Sequence, residues 1–280
     1  MDNFLIVDGS NLLFQMFYGM PARILNKEGK PIHGTLGFIG ALLKIIRKIQ
    51  PTHIVVLFDG EHHNERKDID ADYKANRLDF SLMAEEETPF SQLADIYAAL
   101  DYLHIRHTET TVCETDDVIA AYALQYGTAT NITIVSFDSD FFQLITDHVC
   151  VLRYRGDNSC FCNRAYLREK YDIEPFQYAD FKALTGDTAD NIKGANKVGI
   201  KTASALINEF GCLQTLLDNA EKIAKPSIRQ SVLESKERLQ KNQRLIALNG
   251  CAKLPFSMTE LSYAYSGATT NEVLTAVGIK

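Results

Sequence analysis

Apolar residues follow two different periods along this chain. Phe4–Val7, His53–Phe58 and Asn131–Phe137 are short runs rich in Ile, Val, Leu and Phe, each followed by a turn signal, which is how buried parallel strands read. Between the first two, Leu36–Ile49 keeps Phe38, Leu42, Ile45, Ile46 and Ile49 on one helical face. The opening is therefore a βαβ unit. Pro89–Leu103 predicts a second amphipathic helix, with Phe90, Leu93, Ile96, Tyr97 and Leu100 on one side. A strand is expected around His104–Arg106 and an apolar helix over Val118–Leu124. From about Asn163 the strand pattern gives way to helices separated by glycine-bearing turns. The fold class is α/β, a mostly parallel central sheet followed by a helical region.

Each predicted strand ends in aspartate, as Asp8-Gly9, Asp59-Gly60 and Asp138-Ser139-Asp140. One Asp-Gly is an ordinary turn. Ligands of open parallel sheets, however, collect beyond the carboxyl ends of the strands, so three such acids on buried strands point to a common crevice. Glu114-Thr115-Asp116-Asp117 precedes the Val118 helix. Acids there cap a helix and complement its dipole, yet three in four residues exceed what capping requires. In Gly186-Asp187-Thr188-Ala189-Asp190-Asn191 two acids lie three apart, on one face if that segment is a helical turn.

The candidate ligands are thus Asp8, Asp59, Glu114, Asp116, Asp117, Asp138, Asp140, Asp187 and Asp190. Gathered together they could not all stay ionised without cations. Hard oxygen donors without His or Cys favour Mg²⁺ or Mn²⁺ over zinc. Two ions are the natural number, one to activate water and one to stabilise a leaving oxygen at phosphorus. His62-His63 lies beside a charged segment and reads as exposed.

Two further segments carry cationic or phosphate-binding character. Residues 64–82 are crowded with charge and cannot be core; Arg66, Lys67, Lys74 and Arg77 alternate there with Asp68, Asp70 and Asp72. Ile192–Ala203 holds Gly194 and Gly199 ahead of a helix-like stretch ending at Phe210-Gly211. That is either a plain connecting loop or a helix-hairpin-helix element, which offers backbone N–H groups to DNA phosphate.

Taken in order, Val7-Asp8-Gly9-Ser10, Phe58-Asp59, Glu114-Thr115-Asp116-Asp117, Asp138-Ser139-Asp140 and Gly186–Asn191 resemble the 5′-nuclease family. That family includes the 5′→3′ exonuclease domain of bacterial DNA polymerase I, phage 5′ exonucleases and flap endonucleases. Arg66 and Tyr73-Lys74-Ala75-Asn76-Arg77 match the start of the family's helical arch. The resemblance implies a PIN-like nuclease core over 1–165, with an arch at about 62–90, and a helical duplex-binding region over 166–280, with the hairpin at about 184–210. It implies that Lys74 and Arg77 meet the scissile phosphate. Asp8, Asp59, Glu114 and Asp116 would surround a first ion, and Asp138, Asp140, Asp187 and Asp190 a second, with all the family's acids retained. DNA contacts are expected at Arg66, Tyr73, Gly194, Lys197, Gly199, Lys201 and Thr202, although Tyr73 could equally pack the arch. Two positions depart from the pattern. Gln15 stands where many relatives have arginine, which removes one phosphate contact. Lys197 replaces the hairpin's central glycine, where relatives can hold a K⁺ ion on the turn's carbonyls; Lys197 could supply that charge itself.

Bulk properties adjust this picture only slightly. A formal charge of −7 argues at first against a nucleic-acid partner. With nine of the 36 acids neutralised by cations, the remainder falls just below the 29 Lys and Arg. The six cysteines, without an export signal, are expected to be thiols in core or edge positions. No segment is apolar for long enough to span a bilayer, so a cytoplasmic, nucleoid-associated monomer is expected. The expected activity is two-metal hydrolysis of DNA carrying 5′ flaps or 5′ ends, in replication and repair. Two rivals stay open: a non-catalytic DNA-binding paralogue, and a metal-dependent phosphomonoesterase, which would need Asp-x-Asp on the first strand where this chain has Asp8-Gly9-Ser10.

Overall fold

A computed structural model describes residues 2–61 and 63–279; His62 lies outside them. Its sheet contains β1 (Asn3–Asp8), β2 (His53–Asp59), β3 (Arg106–Thr110), β4 (Asn131–Val135), β5 (Val149–Arg153) and β6 (Cys160–Cys162). They lie in the order β3-β2-β1-β4-β5-β6. All neighbours pair parallel except β5 and β6. Because β1 lies between β2 and β4, the chain order reverses there, and the crevice at a reversal is where such sheets bind ligands.

The strands are apolar throughout because both faces are covered. Phe4, Ile6, Val55, Leu57, Ile132 and Ile134 face one buried cluster, while Leu5, Val7, Ile54, Val56 and Phe58 face the other. The predicted strand near residue 104 falls later, at β3. It is an edge strand of polar residues, Arg-His-Thr-Glu-Thr, with no apolar run to reveal it.

The helices of the first half are α1 (Gly9–Gly19), α2 (His33–Ile49), α3 (Glu65–Ile69), α4 (Leu93–Tyr102) and α5 (Thr115–Tyr126). The second half adds α6 (Arg164–Tyr171), α7 (Tyr178–Thr185), α8 (Ile200–Phe210), α9 (Leu213–Asp218), α10 (Pro226–Glu234), α11 (Lys236–Ile246) and α12 (Thr270–Ala276). Between α7 and α8 lies a two-stranded hairpin, β7 (Gly186–Asp187) and β8 (Ile192–Lys193). Asp187 and Asp190 are therefore presented by a β-hairpin and its turn, not by a helical turn. Gly194 is required by close approach, since a Cβ there would lie 2.3 Å from the Leu184 carbonyl oxygen and 2.6 Å from the Gly186 nitrogen.

Among the described residues of the stretch expected as the arch, α3 is the only α-helix, followed by turns through Asn76 and short 3-10 turns at Phe80–Leu82 and Glu85–Glu87. Asp70 helps end α3 by accepting from the Asp72 N–H at 3.1 Å, a local bond that competes with helix. The C-terminal segment returns to the sheet: the Tyr263 N–H donates to the Thr52 carbonyl at 2.8 Å, and Val273 joins the α2–α4 side of the core. Among the described residues no helix is long and apolar enough to cross a membrane, and the six cysteines form no disulfide.

Candidate active site

The β1 end is fixed first. Asp8 caps α1 by accepting from the Asn11 N–H at 2.9 Å, and its other oxygen accepts from Ser136 Oγ at 2.8 Å. That second bond ties β1 to the end of β4. Gly9 allows α1 to start against β2, since a Cβ there would strike the Phe58 ring at 2.7 Å. Ser10 Oγ accepts from the Asp59 N–H at 2.8 Å. Asp138 Oδ1 accepts from the Asp140 N–H at 2.7 Å, turning the chain so that both acids face the crevice.

The acids feel one another. Burial, then the charge of Asp59, pushes the Asp8 carboxyl up to about 7. Asp116, in the first turn of α5, is raised well above the usual carboxylate range by burial and by Asp138, with Asp59 and Asp8 adding to it against Lys74. Asp140 is pushed up to about 7 by burial and Asp138, although Lys182 opposes the shift. Asp140, Asp187 and Asp190 each place an oxygen within 4.8 Å of the others. Such a set of carboxylate oxygens fits hard divalent cations.

Protein cations are woven into the cluster. Lys74 Nζ donates to Glu114 Oε1 at 2.9 Å. Arg77 pairs with Asp190 at 2.9 Å while remaining 54% exposed. Burial opposes the Lys74 charge, but Asp116 and Glu114 outweigh it and raise its pKa. Glu114 is pushed up by burial yet ends below its ordinary value, because Lys74 and Arg66 stand beside it. Lys74 adopts a φ of 56°, a conformation costly for a non-glycine residue and often found at functional sites. It is held there partly by its own N–H, which donates to the Asp190 carbonyl at 3.1 Å. Asn76 Nδ2 to the Thr188 carbonyl (2.9 Å) and Asn191 Nδ2 to the Asp72 carbonyl (2.8 Å) clamp the same two segments together.

Three expected site residues are engaged within the protein. Both oxygens of Asp117 accept from Arg66, at 2.9 and 3.0 Å. Arg66, expected to contact DNA, is 8% exposed; it also holds Glu114 and donates to the Leu245 carbonyl at 2.9 Å. Tyr73 is 4% exposed and packs in the core, under the Lys74 ammonium at 4.8 Å. Packing, not base stacking, is the reading the structure supports.

The hairpin-to-α8 segment leaves Lys197, Gly199 and Lys201 exposed and Thr202 half-buried, with Gly199 capping α8. Lys197 has a φ of 63°, a left-handed conformation that glycine adopts more readily than lysine. Carbonyls of the turn already accept protein hydrogen bonds: Lys193 from Asn242, Gly194 from Arg238, Ala195 from the Val198 N–H and Asn196 from Ser231. Gln15 donates to the Tyr154 carbonyl at 2.6 Å. The sequence reading missed Lys182, whose ammonium sits between Asp140 and Asp187. Its one signal was a charge embedded in the apolar run Phe181-Lys182-Ala183-Leu184.

Comparison with known proteins identifies the family. A family model described as the 5′-3′ exonuclease N-terminal resolvase-like domain matches residues 3–172, and the C-terminal SAM fold of the same family matches 173–268. DNA polymerase I of Rhizobium leguminosarum is 33% identical over 268 residues, covering 93% of this chain. The chain spans about a quarter of that protein, 26% of its length. The bacteriophage T5 flap endonuclease, in a pseudo-enzyme–product complex with DNA and metal ions, superposes with a TM-score of 0.72 at 24% identity, covering 88% of this chain and 89% of that one. The catalytic core of Rad2 with DNA substrate gives 0.58 at 14% identity, covering 99% and 93%.

Proposed function

The chain belongs to the 5′-3′ exonuclease family, and from that premise we propose that it is a divalent-metal-dependent 5′ nuclease hydrolysing DNA near 5′ ends or at 5′ flaps. The observation that carries this is the gathering of Asp8, Asp59, Asp116 and Asp138 with Asp140, Asp187 and Asp190 at the sheet's reversal point, bordered by Lys74 and Arg77. We assign the chemistry to residues 1–165 and duplex contact to 166–280, chiefly the hairpin and α8 start over 184–210. Mg²⁺ or Mn²⁺ held by these carboxylates, in a two-ion arrangement, would activate water and stabilise the leaving oxygen.

The chain's own residues do the rest. Lys74 and Arg77, each resting on a carboxylate, bring positive charge to the rim where phosphoryl oxygens gain charge during attack. Ser136 and the Asn11 N–H orient Asp8, and the Asp140 N–H orients Asp138. Glu114 holds Lys74 and is itself held by Arg66.

The test is cleavage of a 5′-labelled flap substrate with Mg²⁺, with EDTA, and by Asp138→Asn. We expect EDTA to abolish cleavage and Asp138→Asn to lower the rate by about 100-fold or more, the loss of one strong electrostatic contribution to the transition state. Undiminished cleavage in EDTA would remove the metal from the mechanism, and an inert wild type would leave a DNA-binding protein.

A further inference from the structure

Lys182 occupies an unusual place for a lysine. It lies on α7 between Phe181 and Ala183, both buried, and its side chain is 9% exposed. Its ammonium contacts Asp140 and lies 2.5 Å from Asp187. The other oxygen of Asp187 accepts from the Ala189 N–H at 2.9 Å, and Asp190 is paired with Arg77. All three carboxylates that could share an ion therefore already rest on a protein cation.

We propose that Lys182 is the built-in counter-cation of the Asp140–Asp187–Asp190 group, holding these acids together in the metal-free protein and weakening the divalent ion they take. The inference deepens the nuclease reading and rests on it. Two physical arguments support it. A buried ammonium is tolerated only when paired, and Lys182 meets Asp140 and Asp187 directly, with the Asp138 charge also acting on it. An ion entering the group must share oxygens that Lys182 already uses, and it meets a like charge at close range in a poorly screened site. Lys182 thus lowers affinity most at the ion position it touches directly, and acts on the Asp8–Asp116 side only through Asp138. The enzyme would then hold one ion firmly and take the second more readily when a phosphate arrives to offset the charge.

The experiment is Mn²⁺ titration followed by electron paramagnetic resonance, with melting temperatures taken in EDTA and in Mn²⁺, for wild type, Lys182→Met and Lys182→Arg. We expect wild type to show one tight and one weak site. Lys182→Met should tighten the weak site about tenfold or more, melt lower than wild type in EDTA and recover in Mn²⁺. Lys182→Arg, which keeps the charge, should follow wild type in both measurements; an Arg variant that tightens the weak site as methionine does, or a methionine variant whose melting loss Mn²⁺ does not repair, counts against the inference. Equal Mn²⁺ affinities in all three proteins overturn the inference alone. No Mn²⁺ binding by any of them overturns both it and the metal-dependent reading.

Discussion

Arg66 shows how much a single residue's role depends on what surrounds it. Its guanidinium spans Glu114, Asp117 and the Leu245 carbonyl, joining the segment after β2 to the start of α5 and the end of α11. Burial works against the charge, but the bond to Asp117 and the charge of Glu114 hold its pKa above the ordinary arginine value. Replacing one partner of a buried ion pair leaves the others uncompensated, at a cost of about 3–5 kcal/mol. Arg66→Met is therefore expected to lower stability by an amount of that order in urea unfolding, with or without DNA. A residue that only contacted DNA would weaken binding and leave the unfolding midpoint where it was. The sequence announced that position 66 was cationic; the partners lie 48, 51 and 179 residues away, beyond any local pattern.

In the hairpin with α8, Lys197 stands where the family resemblance leads one to expect glycine. Lys197 carries a positive charge into a left-handed position, and the carbonyls of residues 193–196 are engaged by Asn242, Arg238, Val198 and Ser231. Both observations support a turn that depends little on K⁺. DNA affinity measured at equal ionic strength should change little between K⁺ and Na⁺, and Lys197→Gly should introduce a K⁺ preference while reducing the salt slope by about one unit. A strong K⁺ preference in the unaltered protein would show that the ion, not Lys197, supplies the charge. The element's glycines were legible in the sequence. Its hairpin was not, because β7 and β8 are two residues each and carry no periodicity.

At the scale of the whole molecule, the acid cluster is a stability liability that cations relieve. Asp8 and Asp140 have pKa values raised from 3.8 to about 7 in the folded protein. For a carboxyl raised on folding, the stabilising contribution is complete below the unfolded value and is lost as pH climbs through the folded one. Asp116 acts in the same sense, whereas Glu114, lowered on folding, favours the fold above its unfolded value and loses that contribution on acidification. The metal-free protein should therefore lose stability between about pH 4 and pH 7 from Asp8 and Asp140. Saturating Mg²⁺ should raise the melting temperature more at pH 8 than at pH 5, where it must displace protons from these acids. An identical increment at both pH values would mean that the ion binds elsewhere. The interlock of the two halves, through Arg66 and through Tyr263 on Thr52, makes a single melting transition the expected readout.

The sequence by itself determined the buried strands, the principal helices and the acids at the strand ends, because hydrophobic period and strand-end turns are local properties written within a few residues. The polar edge strand β3, the mostly non-helical stretch after α3, and the pairing of each charge were decided only by the tertiary structure. A charged side chain requires a partner once it is buried, but which one it meets depends on segments brought together by the whole fold. That is why Asp117 turned to Arg66, and why Lys182 came to stand among the acids.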